Sequence, residues 1–141
     1  MMNRVFIDTS FFIALSIKKD KYHAIAKSWA NYIAHNRLLM FTHQGILLEV
    51  GDAFSKPPLR NKLTDLMGFL RHDPTVKIMS ISDQLLDEAI QLFISRNDKS
   101  WGITDCLSFS IMKQLNLDAA LTADQHFSQA GFRTLLKEAP T

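Results

Sequence analysis

The sequence predicts an α/β protein, a three-layer α/β/α sandwich around a central, mostly parallel sheet. Three observations predict it. Short apolar runs such as Val5-Phe6-Ile7 and Ala119-Ala120-Leu121 read as strands buried on both faces. Longer stretches with apolar residues at helical spacing separate them. The two kinds alternate along the chain, as crossover helices between parallel strands require. A length of 141 residues, with no internal repeat and no linker-like stretch, fits one domain over residues 1–141.

The elements follow in order. Val5 to Ile7 is the first strand and ends at Asp8. Ser10 to Ser16 forms a short helix. From about Lys21 to His35, residues Tyr22, Ile25, Ala26, Trp29 and Ile33 share a helix face. Leu38 to Phe41 is the second strand. A helix from about His43 to Ser55 follows, with Thr42 as its expected cap. Pro57-Pro58 interrupts the chain, and a new helix runs to about Arg71. Val76 to Met79 is the third strand. Ser82 caps a helix reaching about Arg96. Thr104 to about Leu115 is the next helix. Ala119 to Thr122 is the fourth strand, and Phe132 to Leu136, after Gly131, is the last.

Composition excludes several classes. Hydrophobic residues are 47% and charged residues 21%, ordinary globular values. No apolar run approaches the length of about 20 residues that a membrane span needs. The opening residues meet Asp8 too early for the apolar segment of a secretory leader, so none is expected. The single cysteine, Cys106, cannot form an intramolecular disulfide or a cysteine-rich zinc site. A soluble protein of a reducing compartment, the cytoplasm, is expected. Net charge is +2, but it is unevenly spread. Residues 1–72 hold ten Lys+Arg against five Asp+Glu, and residues 73–141 hold six against nine. Such a chain can offer a polyanion one surface and a cation another.

In a sheet of this class, ligands bind beyond the carboxyl ends of the strands, where strand order switches. Acids just after strands therefore matter most. Asp8 follows the first strand, and Asp124 follows the fourth by two residues. Asp105 stands at a helix start, where the dipole favours an anion. Glu49 falls at the edge of an apolar helix face made by Ile46, Leu47, Val50, Ala53 and Phe54, while Asp52 falls well outside it. Each acid alone has an ordinary structural explanation, as a turn, a dipole partner or a solvated residue. If the four converge, two carboxylates about 5 Å apart repel by roughly 3 kcal/mol at an effective dielectric of 20. The cluster must then take up protons or bind a cation. All-oxygen ligands favour Mg²⁺ or Mn²⁺, and the matching reaction class is metal-assisted phosphodiester hydrolysis.

At these residues the sequence resembles the PIN-domain nucleases, and among them the VapC-type toxins of bacterial toxin–antitoxin pairs. The matching segments are Val5-Phe6-Ile7-Asp8-Thr9-Ser10, the helix around Glu49, Ile103-Thr104-Asp105-Cys106-Leu107-Ser108-Phe109, and Leu121-Thr122-Ala123-Asp124-Gln125-His126-Phe127. Ala130-Gly131-Phe132 resembles the family's entry into its C-terminal strand. The resemblance implies an α/β/α sandwich and a Mg²⁺- or Mn²⁺-dependent endoribonuclease acting on structured RNA such as tRNA or rRNA. The family's acidic quartet falls on Asp8, Glu49, Asp105 and Asp124. Its hydroxyl falls on Ser10, which would orient the site, and Thr104 would cap a helix. A homodimer and a small antitoxin protein are implied as well. On this reading Asp8 and Asp124 hold the ion, Asp105 completes its coordination, and Glu49 positions water. Asp8→Asn should abolish cleavage and leave the fold intact.

Other residues carry lesser expectations. Asp98 reads as a loop or capping residue, and Trp101 as packing rather than base stacking. His126, two residues after Asp124, is a less favoured proton donor. His23 and His43 read as helix-surface or helix-start residues. Lys18, Lys19, Lys21, Arg60 and Lys62 are the phosphate-contact candidates. Phe11, Phe12, Trp29 and Leu66 would line a dimer or antitoxin surface, or the core. The main alternative is a catalytically inactive PIN-like module that binds RNA or protein. A phospho-acceptor domain fits less well, because Asp8 stands alone and Met79 is followed by Ser80. A metal-dependent phosphatase would share the ions but attack a generic monoester.

Overall fold

A computed structural model describes residues 2–141. Its sheet has five strands: β1 (Arg4–Ile7), β2 (Leu39–His43), β3 (Val76–Met79), β4 (Ala119–Leu121) and β5 (Arg133–Thr134). Seven helices connect them: α1 (Thr9–Ser16), α2 (His23–Asn36), α3 (Gln44–Ala53), α4 (Arg60–His72), α5 (Asp83–Ser95), α6 (Ile103–Gln114) and α7 (Gln125–Gln129). Single 3-10 turns lie at Pro57–Leu59 and Leu135–Lys137.

The strand order is β3-β2-β1-β4-β5, and every pairing is parallel. From β1 the chain steps outward to β2 and β3, then returns to place β4 on the other side of β1. The order therefore switches between β1 and β4, and a crevice opens beyond their carboxyl ends. Helices cover both faces, which explains why Val5, Phe6 and Ile7 are all buried. On one face α1, α2 and α4 gather around Met40. On the other, Phe6 meets Phe127 of α7, and Phe127 meets Phe109 of α6 edge-on at 5.0 Å.

The register pairs Phe6 with Phe41, so Phe6, Phe41 and His43 share a face. Trp29 holds the C-terminal segment: its indole N–H donates to the carbonyls of Leu135 and Glu138 at 2.9 and 2.8 Å. Phe11, Phe12, Trp29 and Leu66 are all buried.

Four expectations need correction. Strand β2 continues to His43, which pairs with Met79. Thr42 is consequently a buried strand residue whose hydroxyl donates to the Ile7 carbonyl, and His43 caps α3 instead. Helix α6 begins at Ile103 with Gly102 as its cap, so Thr104 lies inside the first turn. The last strand is only Arg133–Thr134, because Leu135 and Leu136 turn inward into a 3-10 turn and are fully buried. Ala53, placed on the apolar face of α3, is exposed.

Candidate active site

The four predicted acids reach one cleft. Asp8, Thr9, Ser10, Glu49, Asp52, Asp105 and Asp124 line a cavity of about 430 Å³ at the β1–β4 switch. Asp8 follows β1 and stands at the N-cap position of α1, with its side chain free of any capping bond to that helix. Asp124 caps α7, accepting a bond from the His126 amide at 2.9 Å. Asp105 and Glu49 project from α6 and α3.

Asp8 is the buried member, only 6% exposed. Its Oδ2 accepts the Thr122 hydroxyl at 2.7 Å and lies 3.5 Å from the Ser10 hydroxyl. Burial pushes this carboxyl up to about 7. The Thr122 hydroxyl and the Thr9 amide oppose the rise, and the neighbouring charges of Asp105 and Glu49 add to it. A carboxylate removed from water beside other acids is poised to exchange its proton for a cation.

Ser10 lies beside both Asp8 and Thr122. Its hydroxyl lies 3.2 Å from Thr122 Oγ1 and accepts from the Ala123 amide at 3.4 Å. Thr122 is the hub: it donates to Asp8 and accepts from the Asp124 amide at 3.1 Å. Sequence reading passed over Thr122 as a strand end. Its hydroxyl couples two acids that lie 116 positions apart in the numbering.

Asp105 is held through one oxygen. Oδ2 accepts the Gly102 amide at 3.1 Å and faces His126 Nδ1 at 2.9 Å. A carboxylate only accepts, so His126 Nδ1 carries the proton. That nitrogen also lies 3.5 Å from Asp124 Oδ1. His126 Nδ1 therefore links Asp105 and Asp124. Ligand atoms of Asp105, Asp124 and His126 all lie within 4.8 Å of one another. Glu49, expected beside a buried stripe, is exposed and accepts the Thr9 hydroxyl at 2.6 Å. Asp52, which the helical wheel set aside, borders the same cleft one turn further along α3.

Residues outside the cleft have other partners. Asp98 forms a two-pronged pair with Arg96, at 2.9 and 3.0 Å. Trp101 is buried against Phe109, with Arg96 over its ring. Lys62 reaches the Ser16 carbonyl at 3.1 Å, and Lys18 and Lys19 are exposed. A second cavity, apolar and also about 430 Å³, runs between α1, α2 and α4, with Phe11, Phe12, Leu66 and Phe69 on its walls.

Residues 5–133 match the PIN domain. The chain belongs to the PIN domain family. This PIN domain is 24% identical over 129 residues to the 23S rRNA-specific endonuclease VapC20 of Mycobacterium tuberculosis, covering 91% of this chain and 95% of the relative. Its fold is similar to the crystal structure of VapC20, a Sarcin-Ricin loop cleaving toxin of the same organism, with a TM-score of 0.78, 22% identity, and 91% and 95% of the two chains covered. It is also similar to VapBC2 from Rickettsia felis bound to a DNA fragment from its promoter, with a TM-score of 0.67, 15% identity, and 93% and 96% covered. Among the described residues of this PIN domain, no helix is long and apolar enough to cross a membrane.

Proposed function

We propose that this PIN domain is a Mg²⁺- or Mn²⁺-dependent endoribonuclease, the toxin of a toxin–antitoxin pair, that hydrolyses phosphodiester bonds in structured RNA such as rRNA or tRNA. One observation carries the reading: five carboxylates, Asp8 after β1, Glu49 and Asp52 on α3, Asp105 on α6 and Asp124 before α7, line one cleft at the strand-order switch, and Asp8 is buried.

The donor set fits a hard divalent ion. The candidate ligands Asp8, Glu49, Asp105 and Asp124 are all carboxylates, hard oxygen donors that line one cleft. When bound, such an ion polarises the phosphoryl group and activates water. The chain's own residues do the rest. Thr122 and Ser10 fix the rotamer of Asp8. Gly102 and His126 engage one oxygen of Asp105, Oδ2. Thr9 steadies Glu49, the residue placed to orient the attacking water. Preorganised acids need little rearrangement when charge develops at phosphorus.

The name of the M. tuberculosis relative makes rRNA the first substrate to try. The apolar groove between α1, α2 and α4 supports a protein partner, here a small antitoxin, and the Rickettsia felis complex supports the same reading. A second copy of the chain is expected with it.

The test is cleavage of total RNA by purified protein with Mg²⁺, Mn²⁺ or EDTA, beside Asp8→Asn. Discrete fragments that require both the metal and Asp8 are the expected result. Folded protein that never cuts a broad RNA pool would leave the inactive binding module as the better account.

A further inference from the structure

His43 is wholly buried at the end of β2, outside the cleft, and it is bonded at both ring nitrogens. Nδ1 lies 3.0 Å from the Gly45 amide, and Nε2 lies 2.9 Å from Ser108 Oγ. A backbone N–H only donates, so Nδ1 must be the acceptor. The ring proton then sits on Nε2 and points at Ser108 Oγ. The Ser108 hydroxyl in turn donates to the Thr104 carbonyl at 3.1 Å. The chain of bonds has one direction, and each group in it has one role. Burial also keeps the ring neutral, pulling its pKa down to about 4.

The ends of this chain matter. Gly45 lies in the first turn of α3, which carries Glu49 four residues on. Thr104 lies in the first turn of α6, immediately before Asp105. Glu49 and Asp105 reach the cleft from separate helices, and each is held by groups other than its counterpart. Their separation therefore depends on how the two helix starts are fixed to each other. Gly45 is shaped for this contact. A Cβ there would stand 2.8 Å from His43 Cε1 and 3.0 Å from Nδ1, so any larger residue displaces the ring.

We propose that His43 is a positioning residue: through Ser108 it ties the start of α3 to the start of α6 and sets the spacing of Glu49 and Asp105 across the cleft. This role rests on the reading of the cleft as a metal-dependent nuclease site.

The test separates tether from cap. In His43→Asn the amide oxygen replaces Nδ1 and keeps the bond from Gly45, but the shorter side chain cannot reach Ser108. Ser108→Ala cuts the same link from the other side. Both variants and the double variant are compared with wild type in thermal melts, in calorimetric titration with Mn²⁺, and in kcat and KM for RNA cleavage. Each single variant should fold, bind Mn²⁺ about ten-fold more weakly, in the range typical of lost outer hydrogen bonds to a metal site, and lose kcat with KM little changed. The double variant should be no worse than either single one, because one link is cut once or twice. Folded variants that bind Mn²⁺ and turn over like wild type would overturn the role of His43, as would effects that add. Should His43→Asn not fold, Ser108→Ala alone decides by the same readouts. Wild-type protein that neither binds Mn²⁺ nor cuts RNA would remove the reading of the cleft, and the tether's role with it.

Discussion

Replacing Asp8 by Asn should abolish cleavage and at the same time stabilise the metal-free protein. Burial raises the Asp8 carboxyl from 3.8 to about 7. A group raised in the fold binds protons more tightly there than in the unfolded chain. Its contribution to stability therefore falls as pH climbs from about 4 to about 7. At about 1.4 kcal/mol per unit, the ionised carboxylate costs the fold about 4 kcal/mol above pH 7, and the cost fades as pH falls toward 4. Asn is close in shape and carries no charge to desolvate. Water entering the cleft and the weaker neutral bond to Thr122 reduce the expected gain to about 2 kcal/mol at pH 8. The assay is urea unfolding of both proteins in EDTA at pH 8, 6 and 4.5, repeated with Mn²⁺. Asp8→Asn should have the higher midpoint at pH 8, and the difference should close toward pH 4.5. Mn²⁺ should stabilise wild type by mass action and leave the variant nearly unchanged. An Asp8→Asn protein less stable than wild type at pH 8 in EDTA, or a difference independent of pH, would refute the argument.

Three further outcomes are expected. His43 is held neutral with a pKa near 4 against 6.5 in the unfolded chain, so the unfolded state takes up the proton first and stability falls as pH drops from about 6.5 to about 4, by about 3 kcal/mol. Urea midpoints in the Asp8→Asn background, where the opposing carboxyl is gone, should show this slope, and His43→Asn should flatten it. Phe127→Ala removes a fully buried ring that packs on Phe6 and Phe109, and should cost about 3–5 kcal/mol in chemical unfolding. Charge reversal at Lys18 and Lys19 should raise KM for RNA, leave kcat unchanged and reduce the salt dependence of binding; unchanged salt dependence would take both residues out of the phosphate contacts.

The strands were legible because a strand covered on both faces must be apolar throughout, and Val5-Phe6-Ile7 is. Asp8 and Asp124 were legible because the switch between β1 and β4 gives strand-end carboxylates a common destination, while Glu49 and Asp105 reach the same cleft from helices. What escaped reading depends on partners distant in sequence. Thr42 is a good helix cap by type, yet its hydroxyl serves Ile7 across the sheet, and β2 runs on to pair His43 with Met79. Thr122 looked like a strand end until its bond to Asp8 was seen. His126 was read only beside Asp124, and its bond to Asp105, 21 residues earlier, is a contact the sequence does not display. Asp52 lies on the polar side of its helix and still borders the cleft, since a helical wheel describes one helix and not what stands opposite it.

The bond between Thr122 and Asp8 spans 114 residues of sequence. At a synthesis rate of about 5–20 residues per second, roughly 6–23 s separate the two residues as the chain is made. Until β4 slots in beside β1, Asp8 has neither its hydroxyl partner nor Asp124. A growing chain thus holds Asp8 without the groups that orient it until residue 122 has been added. Completion of this cleft is therefore a late event of folding, set by the arrival of β4 and not by the early strand that carries Asp8.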